Sequence, residues 1–336
     1  MANRPLFQIV AALAVSVMLY VILFAFVFKQ PLTTGLTERY YERKLAYAKS
    51  LPSPKLVLFA GSNGLFSFRC ETIARKTGLP CVNASLHAGL ALDVVLHNLK
   101  AFLKRGDIVL MPLEYDQYMQ TDREMIRSGA TNNYAVSYHP EWLRMFSAER
   151  LVRALFSFNL EYALSSVTES ALSLGGVRRR YNEDTITVNG DMKGHTREKG
   201  EEYRAYIKGL GSPVPDGALF AGRTFAGERV LSNFLRWAKS EDITVVGMLP
   251  TVFDDKPIPA AVISRVRGLY EGDGQLFLDL PGHSQYPRPC FYDTQYHLNE
   301  ECQIENSREV ARCLDPLLNE RMMRQPGISA SLLMQR

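Results

Sequence analysis

A serine set among glycines, and an aspartate followed four residues later by a histidine, are the residues of this 336-residue chain from which nucleophilic catalysis can be built. Ser62 stands in Gly61-Ser62-Asn63-Gly64, directly after the apolar run LVLFA at residues 56–60 and before a stretch of helical character at 65–77. A serine on a tight strand-to-helix turn presents its hydroxyl at the carboxyl edge of a sheet, with backbone amides pointing into the same space. Glycines on both sides let the chain turn sharply and let a carbonyl approach the backbone. Such a turn after a strand is often only a turn, so it needs a base. Near the other end of the chain, FYDTQYHLN (residues 291–299) supplies one: His297 can accept and return a proton near neutral pH, and Asp293, one helical turn earlier, can orient its second ring nitrogen.

These residues have to be brought together by an α/β fold. Apolar runs of strand length, at residues 56–60, 81–84, 107–113, 243–250 and 275–281, alternate with amphipathic stretches. Examples are Val230, Phe234 and Trp237 in one stretch, and Ile304, Ala311, Leu314 and Leu318 in the last. Continuous apolar strands separated by helices predict a three-layer α/β/α domain around a mostly parallel sheet of about five strands, with ligands bound beyond the carboxyl ends of the strands. Both Ser62 and His297 fall at that edge. Glu114 and Tyr115, which end the third run, reach it too and are candidate substrate contacts.

Four segments are expected. Residues 1–29 contain the uncharged stretch 6–28 (LFQIVAALAVSVMLYVILFAFVF), long enough for one N-terminal transmembrane helix, and no small-x-small exit follows it. Residues 30–54 read as a juxtamembrane linker. Residues 55–320 form the α/β domain, interrupted at 116–223 by an insertion carrying Arg178, Arg179, Arg180 and a polar run at 182–202. Residues 321–336 are a flexible tail. Long domains translocate largely regardless of charge, and the basic residues after Gln30 alternate with Glu38 and Glu42, so the domain is expected outside the cytoplasm. A net charge of +4, scattered along the chain, does not call for nucleic acid.

Of the five cysteines, Cys70 and Cys81 can pair. Cys302 and Cys313 share one helix about 16 Å apart along its axis and cannot bond to each other. No residues have the spacing of a metal site, and no cofactor is implied. His87 lies close to Gly89; His97 reads as helical, while His139, His195 and His283 fall in polar loops with no role assigned. Asp254 and Asp255 read as a solvated turn.

Gly61-Ser62-Asn63 after the first strand, Gly89 after the second, and Asp293 to His297 followed by Leu298 and Asn299 resemble the SGNH, or GDSL-like, hydrolase family. With the N-terminal anchor, the resemblance narrows to the bacterial cell-envelope branch that works beside membrane-bound O-acyltransferases, such as alginate-type O-acetylation proteins and the lipoteichoic acid D-alanylation protein. It spans roughly residues 55–318 without the insertion.

The resemblance implies an SGNH/flavodoxin-like fold with Ser62 as nucleophile, His297 as base and Asp293 as orienting acid. The amides of Ser62 and Gly89 would form the oxyanion hole, and Asn63 would lie at the substrate. Where the family's third block usually offers an Asn after a Gly, this sequence has Met111-Pro112-Leu113-Glu114-Tyr115, and its Asp-to-His gap is one residue longer. The implied function is acyl, chiefly acetyl, transfer to or from hydroxyls of a cell-envelope or secreted polysaccharide through acyl-Ser62. The implied donor partner is a membrane-bound O-acyltransferase, and the implied location is the bacterial inner membrane with the domain facing the periplasm. The alternatives are a tethered esterase without transferase activity and an inactive scaffold of a polysaccharide-modification assembly.

Overall fold

The computed structural model describes residues 4–22, 32–87, 89–157 and 181–324. The chain divides into two compact units, one of Met1–Glu38 and Ile126–Arg180, the other of Arg39–Met125 and Tyr181–Arg336.

The first unit contains α1 (Arg4–Ile22) and the opening residues of α2 (Leu32–Ser50), together with helices from the expected insertion. In this unit Tyr134 donates its hydroxyl to Glu38, whose carboxylate also lies 3.0 Å from His139 Nε2, and the His139 ring stacks on Trp142 at 3.6 Å. His139 lies in the connection between two helices, as expected, and is packed there. Along α1, Leu6, Phe7, Ile9, Val10 and Leu13 are all exposed. Among the described residues no helix is long and apolar enough to cross a membrane. Residues 23–28 of the apolar stretch lie outside the described residues, as do Arg178, Arg179 and Arg180.

The second unit is an α/β domain around a five-stranded parallel sheet flanked by helices. Its strands are β1 (Leu56–Leu58), β2 (Cys81–Asn83), β3 (Ile108–Met111) and β4 (Thr244–Met248), followed after the short β5 (Val252–Phe253) by β6 (Leu276–Leu278). The spatial order is β2-β1-β3-β4-β6, every neighbouring pair being parallel. All five apolar runs supply a strand, each shorter than its run because the chain bends away once it leaves the ladder. β5 pairs with β7 (Gln285–Tyr286) in a separate two-stranded ribbon that the apolar pattern did not mark.

The winding reverses between β1 and β3. In sheets of this order, the crevice beyond the carboxyl ends of those two strands is where ligands bind. Leu56, Leu58, Leu110, Val246, Met248 and Leu278 from one face of the sheet pack on Ile73 of the helix Cys70–Thr77, and on Val310, Ala311 and Leu314 of the last helix, Glu300–Arg324. That helix runs past residue 320, so the expected tail begins as helix.

Two further expectations change. Residues 39–50 are part of the second unit rather than a linker: Tyr40, Tyr41, Lys44 and Ala48 are buried in it. The expected insertion is also split, with residues 181–223 belonging to the α/β unit, where Asn189 covers the edge strand by accepting from the Asn83 amide at 2.7 Å. Two disulfides, Cys70–Cys81 and Cys290–Cys302, staple helices to the sheet and to a loop, and Cys313 is free.

Lys55 and Asp107 form a fully buried ion pair at the amino ends of β1 and β3, and Asp107 also accepts the amides of Lys55 and Lys104. Removing the carboxylate strands a buried ammonium. Asp107→Ala is expected to destabilise the α/β unit by about 3–5 kcal/mol, read as a lowered midpoint of urea unfolding.

Candidate active site

The turn after β1 is fixed by a carboxylate from β3. Ser62 opens α3 (Ser62–Ser67), and Gly61 is its N-cap. Glu114, at the end of the chain leaving β3, accepts the Gly61 amide at 2.9 Å and the Asn63 amide at 2.7 Å. It thereby takes the N–H groups on either side of Ser62. The Ser62 amide and hydroxyl make no hydrogen bond among the described residues, and Ser62 remains half-buried while its neighbours are buried. Burial raises the Glu114 pKa, and the amides of Asn63 and Gly61 oppose that rise by stabilising the anion. Glu114 is only 2% exposed. It supports the turn from below and has no surface to offer a substrate.

The base loop is built differently from the sequence expectation. Residues 291–298 are not helical: the Tyr292 amide bonds the His297 carbonyl at 2.8 Å, and Phe291 pairs with Leu298 across a single antiparallel bridge. Closing the loop at its base sets Asp293 beside His297, with Oδ1 and Nδ1 2.6 Å apart. Asp293 Oδ2 accepts the Tyr181 hydroxyl at 2.9 Å. This leaves His297 Nε2 without a hydrogen bond among the described residues. The longer Asp-to-His gap is accommodated by the loop. The Cys290–Cys302 disulfide and the Asn299 amide, bonded to the Cys290 carbonyl at 2.7 Å, hold the loop against the last helix.

One buried network ties the Ser62 turn to the His297 loop. Asn63 Nδ2 donates to the Pro112 carbonyl at 2.9 Å, and its Oδ1 lies 2.6 Å from the Thr251 hydroxyl. That hydroxyl is 2.9 Å from the Tyr296 carbonyl, which Ser67 Oγ also reaches at 2.8 Å. The residues next to Ser62 and His297 are thus joined through one threonine. Phe66 adds an aromatic seat, because its ring stacks on the His297 imidazole at 4.0 Å with an interplanar angle of 7°. Phe66 lies four residues after Ser62 on α3, hence on the same helical face one turn along. Phe66 thus carries the imidazole one turn along the helix that Ser62 opens.

The remaining candidates divide. The Asn63 side chain is fully buried and committed to the network, so nothing of it faces a ligand. Tyr115 is fully buried, and its hydroxyl has no hydrogen-bond partner among the described residues. Gly89 is exposed, but its amide donates to His87 Nδ1 at 2.9 Å instead of standing open. Desolvation and the nearby His297 lower the His87 pKa. His195 lies in a loop, as expected, but it is buried: it is 2% exposed, with Nε2 3.3 Å from the Phe66 carbonyl and its ring edge against Phe66 and Tyr292. Sequence reasoning missed Phe66, Tyr181, Thr251 and His195. Phe66 alone left a trace, its four-residue spacing from Ser62.

Among the described residues no group of His, Cys, Asp and Glu could hold a metal ion. An open cavity of about 790 Å³ in the first unit is lined by Arg127, Asn132, Glu149, Arg153, Phe156 and Ser157; the Ser157 hydroxyl bonds Asn133 and the Ala154 carbonyl, and Glu149 pairs with Arg153. The sequence matches no protein-family model and no curated protein.

Two outcomes are expected. If Glu114 holds the turn, Glu114→Ala should slow covalent modification of Ser62 by about 10²-fold, with Glu114→Gln, which keeps one acceptor oxygen, falling between. Burial pulls the His195 pKa down to about 4 from an ordinary value near 6.5. The folded state therefore binds fewer protons than the unfolded state between those values, so its contribution to stability is intact above pH ~6.5 and is lost as pH falls toward ~4. Unfolding midpoints measured across that window should fall in the native protein and fall less in His195→Gln.

Proposed function

We propose that this chain is a membrane-tethered, serine-dependent acyl transferase of the SGNH type, moving an acetyl-sized group to or from hydroxyls of a cell-envelope or secreted polysaccharide through acyl-Ser62. The observation that carries the reading is an imidazole held by Asp293 at one nitrogen and unengaged at the other, stacked on the residue one helical turn from an unpartnered serine.

In the proposed sequence, His297 Nε2 takes the Ser62 proton as Oγ attacks the acyl carbonyl. The Ser62 amide meets the developing oxyanion, and His297 returns the proton to the leaving oxygen. Imidazole then takes the proton of the acceptor hydroxyl, which displaces Ser62 from the acyl group, and Oγ recovers its proton. Asp293 holds the ring and stabilises the imidazolium throughout. The Tyr181 hydroxyl keeps the second carboxylate oxygen occupied.

Exposed apolar residues along α1 support the tether, and two disulfides favour an oxidising space such as the periplasm. There the domain would meet glycans as they emerge, with a membrane-bound O-acyltransferase as donor partner. A second reading, an inactive scaffold of such an assembly, is favoured by one observation: the Gly89 amide, the second expected oxyanion donor, is taken by His87. A tethered esterase would differ from the transferase by preferring water to sugar as acceptor.

The test is labelling of the full chain with a serine-reactive organophosphonate, followed by peptide mass analysis. The transferase and esterase readings expect modification at Ser62 that falls by about 10³-fold or more in His297→Ala. An unmodified Ser62 in the native protein would leave the scaffold.

A further inference from the structure

Lys44 is 1% exposed, and burial pulls its pKa down to about 7. Its ammonium makes one hydrogen bond, to the Ser85 carbonyl at 2.5 Å. The Tyr40 ring lies 6.0 Å away. The acidic group that acts on it, Asp191, is fully buried and already accepts from Asn83 at 3.0 Å and from the Cys70 amide at 3.0 Å, and it forms no ion pair with Lys44. A desolvated ammonium with a single neutral acceptor is costly, and a methionine would fill the same volume without that cost. Gly190 leaves room for the lysine stem, since a Cβ there would stand 2.9 Å from Lys44 Cγ and Cε.

Ser85, which Lys44 holds, touches both ends of the nucleophile turn. Its Oγ accepts the Ala60 amide at 3.0 Å, one residue before Gly61. At the other end, a Cβ on Gly64 would lie 2.1 Å from Ser85 Oγ, so the turn packs directly on this hydroxyl. Asn83 braces the same contact, accepting the Ser85 amide at 3.0 Å and donating to the Gly64 carbonyl at 2.8 Å.

We infer that Lys44 is a positioning residue for the Ser62 turn, acting through Ser85: the ammonium anchors the Ser85 carbonyl, and the Ser85 hydroxyl sets the Ala60–Gly64 backbone against which Ser62 is held. The inference rests on the reading of Ser62 as nucleophile. Lys44 itself touches no reacting atom.

The test uses the full chain with Lys44→Met, Ser85→Ala and the double variant. Two quantities are read: the rate and apparent affinity of organophosphonate modification at Ser62, and amide hydrogen exchange in the peptide spanning residues 58–66. Each single variant is expected to lower the maximal modification rate about tenfold with apparent affinity unchanged and to speed exchange, and the double variant is expected to be no slower than either single one. Native rates and exchange in Lys44→Met, or additive losses in the double variant, would overturn the inference. Should Lys44→Met fail to fold, a native modification rate in Ser85→Ala overturns it equally. If the native protein is not modified at Ser62, the nucleophile reading falls, while the exchange comparison still decides whether Lys44 orders the turn.

Discussion

The architecture around Ser62 depends on the two hydrogen bonds that the Glu114 carboxylate accepts from the amides on either side of it. A helix start has amides to satisfy, and a buried one must find acceptors for them. Here the acceptor is a charge delivered by the neighbouring strand, and it takes the first and third amides of the turn. The amide between them is left without a partner among the described residues, beside an equally unpartnered hydroxyl, where the proposed mechanism needs a donor for its oxyanion. The same bonds weld β1's exit to β3's exit, at the point where the winding of the sheet reverses and a crevice follows from topology.

From that fixed point the base loop is placed by the buried network that runs from Asn63 through Thr251 to the Tyr296 carbonyl. These are polar groups in a dry interior, so each must be partnered, and full partnering leaves little freedom for relative drift. Phe66 under the imidazole and Asp293 at its Nδ1 restrict the ring further. Buried residues thus set the relation of the Ser62 turn to the His297 loop. Lys44 and Ser85 hold the opposite side of the turn.

Much of this was legible in the sequence because it depends on local pattern. Five continuous apolar runs can only be buried strands, so the parallel sheet followed, and Gly-Ser-Asn-Gly after the first of them marked the turn. The contact between Asp293 and His297 was also foreseen, although the reason offered, a helical turn, gives way to a closed loop. What stayed hidden depends on tertiary burial. Glu114 reads as a substrate contact at the sheet's carboxyl edge until its bonds to Gly61 and Asn63 place it under the turn. Asn63 reads as a substrate contact until Pro112 and Thr251 claim its amide. Lys44 lies in a run of alternating charges with no sign that one of them is buried, and the Cys290–Cys302 bond joins a loop to a helix whose proximity no spacing reveals.

The most direct measurement is a crystal structure of the protein after reaction with the organophosphonate. The account predicts phosphorus on Ser62 Oγ, a phosphoryl oxygen on the Ser62 amide, and His297 Nε2 within about 2.6–3.2 Å of the Ser62 Oγ or the leaving-group oxygen, with Glu114 still bonded to Gly61 and Asn63. An adduct on another residue, or one on Ser62 with His297 turned away and out of hydrogen-bond reach, would contradict it.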